Sequence, residues 1–180
     1  MRRTTNHSLH GFTLMEIIIV IGIIGFLLGG VWMATASIRE QQRINKAFSN
    51  IMIIVQNVKS LYARTHEISS PGNFNTTNMV TAGVFPEEML KAGVPKSLWD
   101  TNVTLSTRVS NAFTLSYTGP IPNLECRNLV GKAVGTERDP YLNKIETGAP
   151  PFTGSALDTL SAANTLLDNC SYIKFTFRLK

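Results

Sequence analysis

The chain has 180 residues, of which 43% are hydrophobic and 16% are charged, and its formal net charge is +5. The length fits one domain with a buried core, and the composition argues against an intrinsically disordered chain. From Phe12 onward the sequence has 15 Lys and Arg residues and 12 Asp and Glu residues, which are scattered along the chain. Such a weak positive balance does not predict a nucleic-acid-binding surface, so no specific nucleic acid is expected as a partner.

The N-terminal region combines a short basic segment with a long apolar run. Arg2 and Arg3 are the basic residues, and the eighteen positions from Ile17 to Ala34 contain no charge. In a helix this run would span about 27 Å, close to the thickness of the hydrocarbon core of a bilayer. The sequence therefore predicts a helix that is able to cross a membrane.

Two general explanations of this region leave one residue unaccounted for. A cleaved secretory signal fits the small-x-small pattern Ala34-Thr35-Ala36, although the apolar run is longer than usual for such a signal. A plain signal anchor, with its positive end in the cytoplasm, fits the charges. Neither explains Glu16, because a carboxylate at membrane depth costs roughly 2.5–3.5 kcal/mol.

The six residues from Gly11 to Glu16, Gly-Phe-Thr-Leu-Met-Glu, are followed directly by the apolar run. This arrangement resembles the N-terminal motif of the type IV pilin and pseudopilin family. The resemblance implies that residues 1–11 are a leader peptide, which a prepilin peptidase removes by cutting between Gly11 and Phe12. Phe12 would then become the N-terminus and be N-methylated. The absence of a side chain at Gly11 suits a narrow protease cleft.

Glu16 gains a specific role from this resemblance. After cleavage, the amine of Phe12 would lie about one helical turn from Glu16. A carboxylate in apolar surroundings needs a cationic partner to stay charged. The family resemblance implies that Glu16 of one subunit pairs with the Phe12 amine of a neighbour. Such a pair would set the register of assembly, as a single polar residue does in a coiled coil.

The helix is expected to continue beyond the apolar run, because residues 12–66 contain no proline. Residues 12–38 would form the projecting apolar half, for the membrane or the filament core, and residues 39–66 an amphipathic half packed on a folded head. Apolar residues recur every three or four positions in the second half, at Ile44, Ala47, Phe48, Ile51, Ile54, Val55, Val58, Leu61 and Tyr62. The segment Ser69-Ser70-Pro71-Gly72 is predicted to end the helix.

Residues 67–180 are predicted to form a globular α+β head with an antiparallel β-sheet. Alternation predicts strands at 102–109, 112–118 and 172–179, the first two forming a hairpin. Proline and acidic residues followed by Gly93 predict a short helix over 86–92. The stretch 134–155 is expected to follow the surface as a loop, and a further short helix is possible between Leu157 and Leu167.

Only two cysteines occur, Cys126 and Cys170. In an oxidising compartment an isolated pair is most simply one disulfide, and the alternative is two free buried thiols. Many type IV pilins enclose a variable C-terminal segment with a disulfide, and the resemblance implies the same for the region 126–170.

An enzyme is not expected from this sequence. His7 and His10 fall in the leader, and His66 is the one remaining histidine. One histidine and a paired cysteine do not form a metal site, and the sequence has neither a phosphate-binding glycine loop nor a Gly-x-Ser-x-Gly motif. We therefore expect no catalytic residues, no metal and no cofactor.

The expected function is that of a type IV pilin, the structural subunit of a surface filament. Its partners would be identical or homologous subunits, the prepilin peptidase, and the assembly machinery of the inner membrane. The protein would span the inner membrane once with its head outside, and would then enter a pilus on the cell surface. A minor pilin or a type II secretion pseudopilin remains open, as does an exported binding protein or enzyme with a cleaved signal or signal anchor.

Overall fold

A computed structural model describes residues 13–65, 67–68, 70–135, 139–148, 170 and 172–179. Within these ranges the side chains of residues 33–37 and of Arg108 are not described. The chain divides into two compact units, Met1–Glu40 and Gln41–Lys180.

Three α-helices and six strands make up the regular structure of the described residues. In chain order they are α1 (Leu14–Leu61), α2 (Thr76–Thr81), β1 (Leu90–Lys91), β2 (Val94–Pro95), β3 (Val103–Val109), β4 (Ala112–Tyr117), α3 (Asn123–Val134), β5 (Leu142–Thr147) and β6 (Ile173–Arg178). Two short 3-10 turns, Pro71–Asn73 and Glu87–Met89, precede α2 and β1. The predicted α+β class with an antiparallel sheet is confirmed.

Helix α1 contributes residues to both units. It runs without interruption for 48 residues and ends at Leu61, earlier than the predicted end near residue 66. The chain continues from there as a turn, in which the N–H of Ala63 donates to the carbonyl of Ser60 at 3.3 Å. This tighter i→i+3 bond is the usual way in which an α-helix closes its last turn.

The amphipathic stripe of α1 forms one wall of the core of the second unit. Ile44, Ala47, Phe48, Ile51, Ile54, Val55 and Val58 are buried in one hydrophobic cluster with residues of the sheet. Leu61 was predicted to belong to this stripe but is 50% exposed, because the helix ends at that residue. The spacing of the remaining apolar residues therefore located the packed face of the helix correctly.

A four-stranded antiparallel sheet forms the opposite wall, in the order β3–β4–β6–β5. The predicted hairpin joins β3 to β4, and the predicted C-terminal strand β6 pairs with β4 along its length. Phe113, Phe175 and Phe177 are almost completely buried, and the rings of Phe113 and Phe177 stack with centroids 5.6 Å apart. Val103, Leu105, Phe113, Leu115, Tyr117, Ile173, Phe175 and Phe177 alternate along these strands and are buried in the core, as period-two patterning requires. Val109 is an exception and is 52% exposed, because the register of β3 on β4 shifts between Ser106 and Val109.

The short helix predicted over 86–92 is wrong. After one 3-10 turn at Glu87–Met89, the chain forms the two-residue strands β1 and β2. The turn between them consists of Ala92 and Gly93, with φ of 51° and 77°. Positive φ at both central residues is the mark of a type I′ hairpin turn. Gly93 therefore serves a hairpin instead of a helix end.

The prediction of a surface loop over 134–155 is wrong where β5 lies. Leu142 and Ile145 are both buried, although they are three positions apart and do not alternate. The register of β5 on β6 shifts between Leu142 and Lys144. This irregularity places both apolar residues on the same face. The sequence of the strand therefore lacks the alternation of apolar and polar residues that predicts a strand. The possible helix between Leu157 and Leu167 lies outside the described residues.

Helices α2 and α3 were not predicted. The side chain of Asn75 caps α2 by accepting a hydrogen bond from the N–H of Asn78 at 2.9 Å. Five residues of α3 are buried, Cys126, Leu129, Val130, Ala133 and Val134. Their spacing of three and four positions is an amphipathic pattern that the sequence contained.

The predicted disulfide is present between Cys126 and Cys170. Their Cα atoms are 5.6 Å apart, and both residues are completely buried. Cys126 lies on α3 and Cys170 lies three residues before β6, a central strand of the sheet, so the bond joins a helix to the chain that leads into that strand.

One acidic residue is buried on the face of the sheet that is turned away from the apolar core. Glu146 is 6% exposed, and its two carboxylate oxygens pair with the ammonium groups of Lys144 at 2.8 Å and of Lys174 at 2.6 Å. Burial disfavours the charged carboxylate, but the hydrogen bonds from the two lysines outweigh it and hold the pKa of Glu146 below its ordinary value. Glu146 therefore stays ionised at neutral pH.

Loss of the disulfide should destabilise the second unit. For a sequence separation of 44, the chain-entropy model gives about 4 kcal/mol. We expect the Cys126→Ala/Cys170→Ala variant to lose this amount in urea unfolding, followed by Trp99 fluorescence in a Trp32→Phe background. Reduced wild type should show the same loss, and reductant should not affect the double variant further. An unchanged unfolding midpoint would contradict this expectation.

Glu146 should make the free energy of unfolding depend on acid pH. Its pKa is lower in the folded than in the unfolded protein, so its contribution is present above the ordinary glutamate pKa of about 4.3. The contribution is lost as the pH falls through the folded value. We expect Glu146→Gln to flatten the decline in stability below that pH, and the exposed control Glu87→Gln to leave it unchanged. Equal curves for wild type and Glu146→Gln would refute the assignment.

Candidate assembly site on the first helix

The predicted site residues fall in three places. Gly11 and Phe12 lie outside the described residues. Glu16 lies in the first turn of α1, within the first unit. Cys126 and Cys170 belong to the second unit. Of these residues, the structure thus describes Glu16 and the disulfide.

Thr13 organises the start of α1. Its carbonyl accepts hydrogen bonds from the N–H groups of Glu16 at 3.1 Å and of Ile17 at 3.3 Å. Its hydroxyl oxygen also accepts from the N–H of Glu16 at 3.3 Å. A threonine three positions before a glutamate is the sequence signature of a capping box. Sequence reasoning did not assign this role to Thr13, although the Thr-x-x-Glu spacing indicates it.

An exposed apolar surface surrounds the first part of α1. Each of fourteen large apolar side chains between Leu14 and Trp32 is at least 48% exposed. They are Leu14, Met15, Ile17, Ile18, Ile19, Val20, Ile21, Ile23, Ile24, Phe26, Leu27, Leu28, Val31 and Trp32. We call the stretch Leu14–Trp32 the apolar segment. It is long and apolar enough to cross a membrane, with a mean hydropathy of 2.6.

The electrostatics of the apolar segment are dominated by one carboxylate. Between Phe12 and Ile38, Glu16 is the only charged residue in the sequence. It lies at the N-terminal end of the helix, where the backbone dipole favours a negative charge. In an apolar environment a charged carboxylate is costly unless it is paired, so Glu16 would need one cationic partner to balance its single charge.

Three glycines leave part of the surface of α1 without side chains. A Cβ atom added at Gly22, Gly25 or Gly29 would meet no atom within 4 Å apart from the neighbouring backbone. These three glycines follow each other by three and four positions and therefore share one face of α1. Helix α1 continues through Met33, and the sequence has no proline at or near this position.

The described residues contain no group of three or more His, Cys, Asp or Glu side chains that could hold a metal ion. The features present on the apolar segment, a large apolar surface and one carboxylate, are suited to association. A large apolar surface can enter lipid or pack against other apolar helices, and one carboxylate can form an ion pair.

Two family models match the chain. Residues 7–32 match the prokaryotic N-terminal methylation motif, which contains Glu16 and opens α1. With this motif on an apolar helix and a disulfide-closed α+β head, the protein is a type IV pilin-like protein. Residues 41–171 match the N-terminal model of PilS, and this match covers well over half of the chain. The chain therefore belongs to the PilS family.

Among solved structures, the chain is similar to TcpA, a type IV pilin from Vibrio cholerae El Tor biotype. The identity is 13% and the TM-score is 0.47, over 76% of this chain and 98% of that chain. No curated protein matches the sequence.

Proposed function

We propose that the chain is the structural subunit of a type IV pilus, which a prepilin peptidase processes and which assembles through the apolar segment. The observation that carries this proposal is the combination of the N-terminal methylation motif at residues 7–32 with an apolar helix that has one carboxylate in its first turn. The proposed localisation is the inner membrane, with one span and the head outside, followed by a surface filament.

The first step is removal of the leader. A cut between Gly11 and Phe12 releases a positively charged amine two residues before the start of α1. N-methylation of Phe12 retains this positive charge. The chain then begins next to the residue that caps the helix, because Thr13 follows directly. The mature N-terminus would therefore lie four positions before Glu16 in the sequence.

The second step is transfer of the apolar segment from lipid into a bundle of identical helices. Fourteen large apolar side chains are exposed along the segment. At about 1.5–3 kcal/mol each, keeping them from water is worth roughly 20–40 kcal/mol, an upper bound. The membrane and the centre of a filament both satisfy this requirement, whereas a monomer dissolved in water does not.

The third step is the choice of register between subunits. Apolar packing has little directional preference, so many axial positions of neighbouring helices are similar in free energy. Pairing Glu16 with the Phe12 amine of a neighbour favours one position, since any other leaves two charges buried without partners. The partners in this proposal are copies of the chain or homologous pilins, together with the inner-membrane assembly machinery.

Other functions make different predictions about the mature protein. A minor pilin or pseudopilin would be processed in the same way, but its deletion would not remove the main filament. An exported protein with an ordinary cleaved signal would begin at Ser37, after the small-x-small pattern. N-terminal sequencing of the purified protein separates the two classes, and the methylation motif favours a start at Phe12.

Replacing Gly11 should block processing. We expect Gly11→Leu to leave full-length protein in the membrane, because the added side chain would obstruct the peptidase cleft, and to abolish filaments. Gly22→Leu is a matched control for cleavage, since it adds the same side chain within the apolar segment. Immunoblots of membrane fractions measure both. Normal removal of the leader from Gly11→Leu would refute this part of the proposal.

Replacing Glu16 should separate a filament subunit from a membrane anchor. An anchor would gain from Glu16→Leu, because an apolar side chain is more stable than a carboxylate in lipid. A filament subunit should lose assembly, because the Phe12 amine is then buried without its partner. We expect both Glu16→Leu and Glu16→Gln to be inserted and cleaved but to yield at least about tenfold fewer sheared filaments, the effect of losing a charged hydrogen bond.

The matched control for Glu16 is Glu40→Gln, which removes an acid from the same helix outside the apolar segment. This variant should assemble normally. The measurement is the ratio of mature protein in sheared filaments to mature protein in membranes. Wild-type amounts of filament from both Glu16 variants would exclude the carboxylate from the assembly mechanism.

A further inference from the structure

The outer face of the four-stranded sheet, which is turned away from the apolar core, carries an ordered array of polar side chains. Cross-strand pairing places Ser106 opposite Thr114, Thr114 opposite Thr176, and Thr176 opposite Lys144. These four residues form one row across all four strands. Adjacent strands lie about 4.8 Å apart, so the row is about 14 Å long. Three of its members have short side chains, so most of the row projects only a little above the plane of the sheet.

A second row borders the first. Ser116 pairs with Lys174 on β6, and Lys174 pairs with Glu146 on β5. The rows are two residues apart along each strand, which is about 7 Å. The longer side chains of this second row therefore rise beside the low row and form a wall.

Together the rows enclose a groove of about 440 Å³. The short side chains of Ser106, Thr114 and Thr176 lie along it, and Lys144, Glu146 and Lys174 line one end. The hydroxyl groups of Ser106 and Thr114 are 3.0 Å apart and hydrogen-bonded, which holds them in place. The Thr114 hydroxyl donates to the carbonyl of Ser106 at 2.9 Å, so Ser106 is the donor between the two hydroxyl groups and both oxygens remain available as acceptors. The hydroxyl group of Thr176 can donate as well as accept.

The charges at the end of the groove are unequal. Glu146 neutralises one positive charge, while two lysines contact it at 2.8 and 2.6 Å. Lys144 is held by this contact, and an ammonium group with three donors can still bind a second acceptor. Arg178 lies one pair further along β6 on the same face and is exposed. The described part of this face therefore has an excess of positive charge.

We propose that this groove binds an acidic oligosaccharide, with a ligand carboxylate on the ammonium of Lys144 and the sugar hydroxyls on Ser106, Thr114 and Thr176. Charge complementarity selects an anion, and the row of hydroxyls selects a ligand with many small polar groups. Neighbouring members of this row are about 4.8 Å apart, which is similar to the length of one pyranose unit in an oligosaccharide chain. Glu146 is a positioning residue in this site, because it holds Lys144 without contacting the ligand.

The described groove residues disfavour a nucleic acid or an apolar peptide. Phe113 is the one aromatic residue among them, and it is 1% exposed because its ring faces the core. Proteins that bind single-stranded nucleic acids combine basic side chains along the backbone with exposed aromatic rings on which the bases stack. Apolar peptides require apolar pockets, and here Val109 and Ala112 are the only apolar side chains that line the described groove besides Phe113. Binding at this site does not depend on processing or assembly of the chain.

The test uses the full-length chain in detergent micelles and isothermal titration calorimetry. The probe is tetragalacturonic acid, and the matched neutral probe is its full methyl ester. We expect the acid to bind with a dissociation constant in the micromolar to millimolar range, and the affinity to fall at high salt. Lys144→Gln should weaken binding about tenfold through loss of a charge-assisted hydrogen bond. Lys91→Gln, at a lysine paired with Asp100 outside the groove, should bind as wild type.

A second variant covers the case in which Lys144→Gln disturbs the fold, which Trp99 fluorescence would report. Thr176→Val replaces a hydroxyl by a methyl group of similar size and should also weaken binding of the acid. Four results would overturn the proposal: no binding of the acid at millimolar concentration, equal binding of the ester, equal weakening by Lys91→Gln, or unchanged binding by Thr176→Val. Tighter binding of a twelve-nucleotide single-stranded DNA than of the acid would also overturn it.

Discussion

The requirement that one helix satisfy two different environments governs the organisation of this protein. The apolar segment of α1 exposes its large side chains on every face, while the residues from Ile44 to Val58 are buried along a single stripe. A helix that packs on a folded head in water needs only one apolar face. A helix in lipid or at the centre of a helix bundle can be apolar on every face. The distribution of apolar residues on α1 therefore changes along its length: they lie on every face of the apolar segment and on one face from Ile44 to Val58. The apolar segment belongs to the first compact unit, and the stripe belongs to the second.

In the proposed assembly Glu16 would have a large effect, because no other residue of the apolar segment is charged. In water, one surface carboxylate contributes little, and ion pairs there are worth at most about 1 kcal/mol. In an apolar bundle the same group must be paired or neutralised, so its position selects among packings that apolar contacts alone do not distinguish. The capping by Thr13 adds a second function to the same motif, because it fixes the point at which α1 begins.

In the head, the strands that were predicted correctly are those with a regular alternation of apolar and polar residues. Strands β4 and β6 alternate along their length and β3 alternates up to its register shift after Ser106, and each was located from its own residues. Strand β5 was missed because its register shift breaks the alternation between Leu142 and Ile145. Contacts distant in sequence also support β5: the ammonium of Lys59 lies 3.2 Å from Asp139 and 3.7 Å from the ring centre of Tyr141. No local pattern predicts a strand that depends on such contacts.

The sequence alone determined the apolar helix, its one carboxylate and the amphipathic stripe, because each depends on residue type and short-range spacing. It also predicted the pairing of Cys126 with Cys170, because they are the only two cysteines. The tertiary structure decided which residues distant in sequence became neighbours. Ser106, Thr114, Lys144 and Thr176 share one row because the strand order β3–β4–β6–β5 inserts the C-terminal strand between β4 and β5. Strand order and register come from packing against α1 and from hydrogen bonds between distant segments, and neither is encoded in any single stretch of the chain.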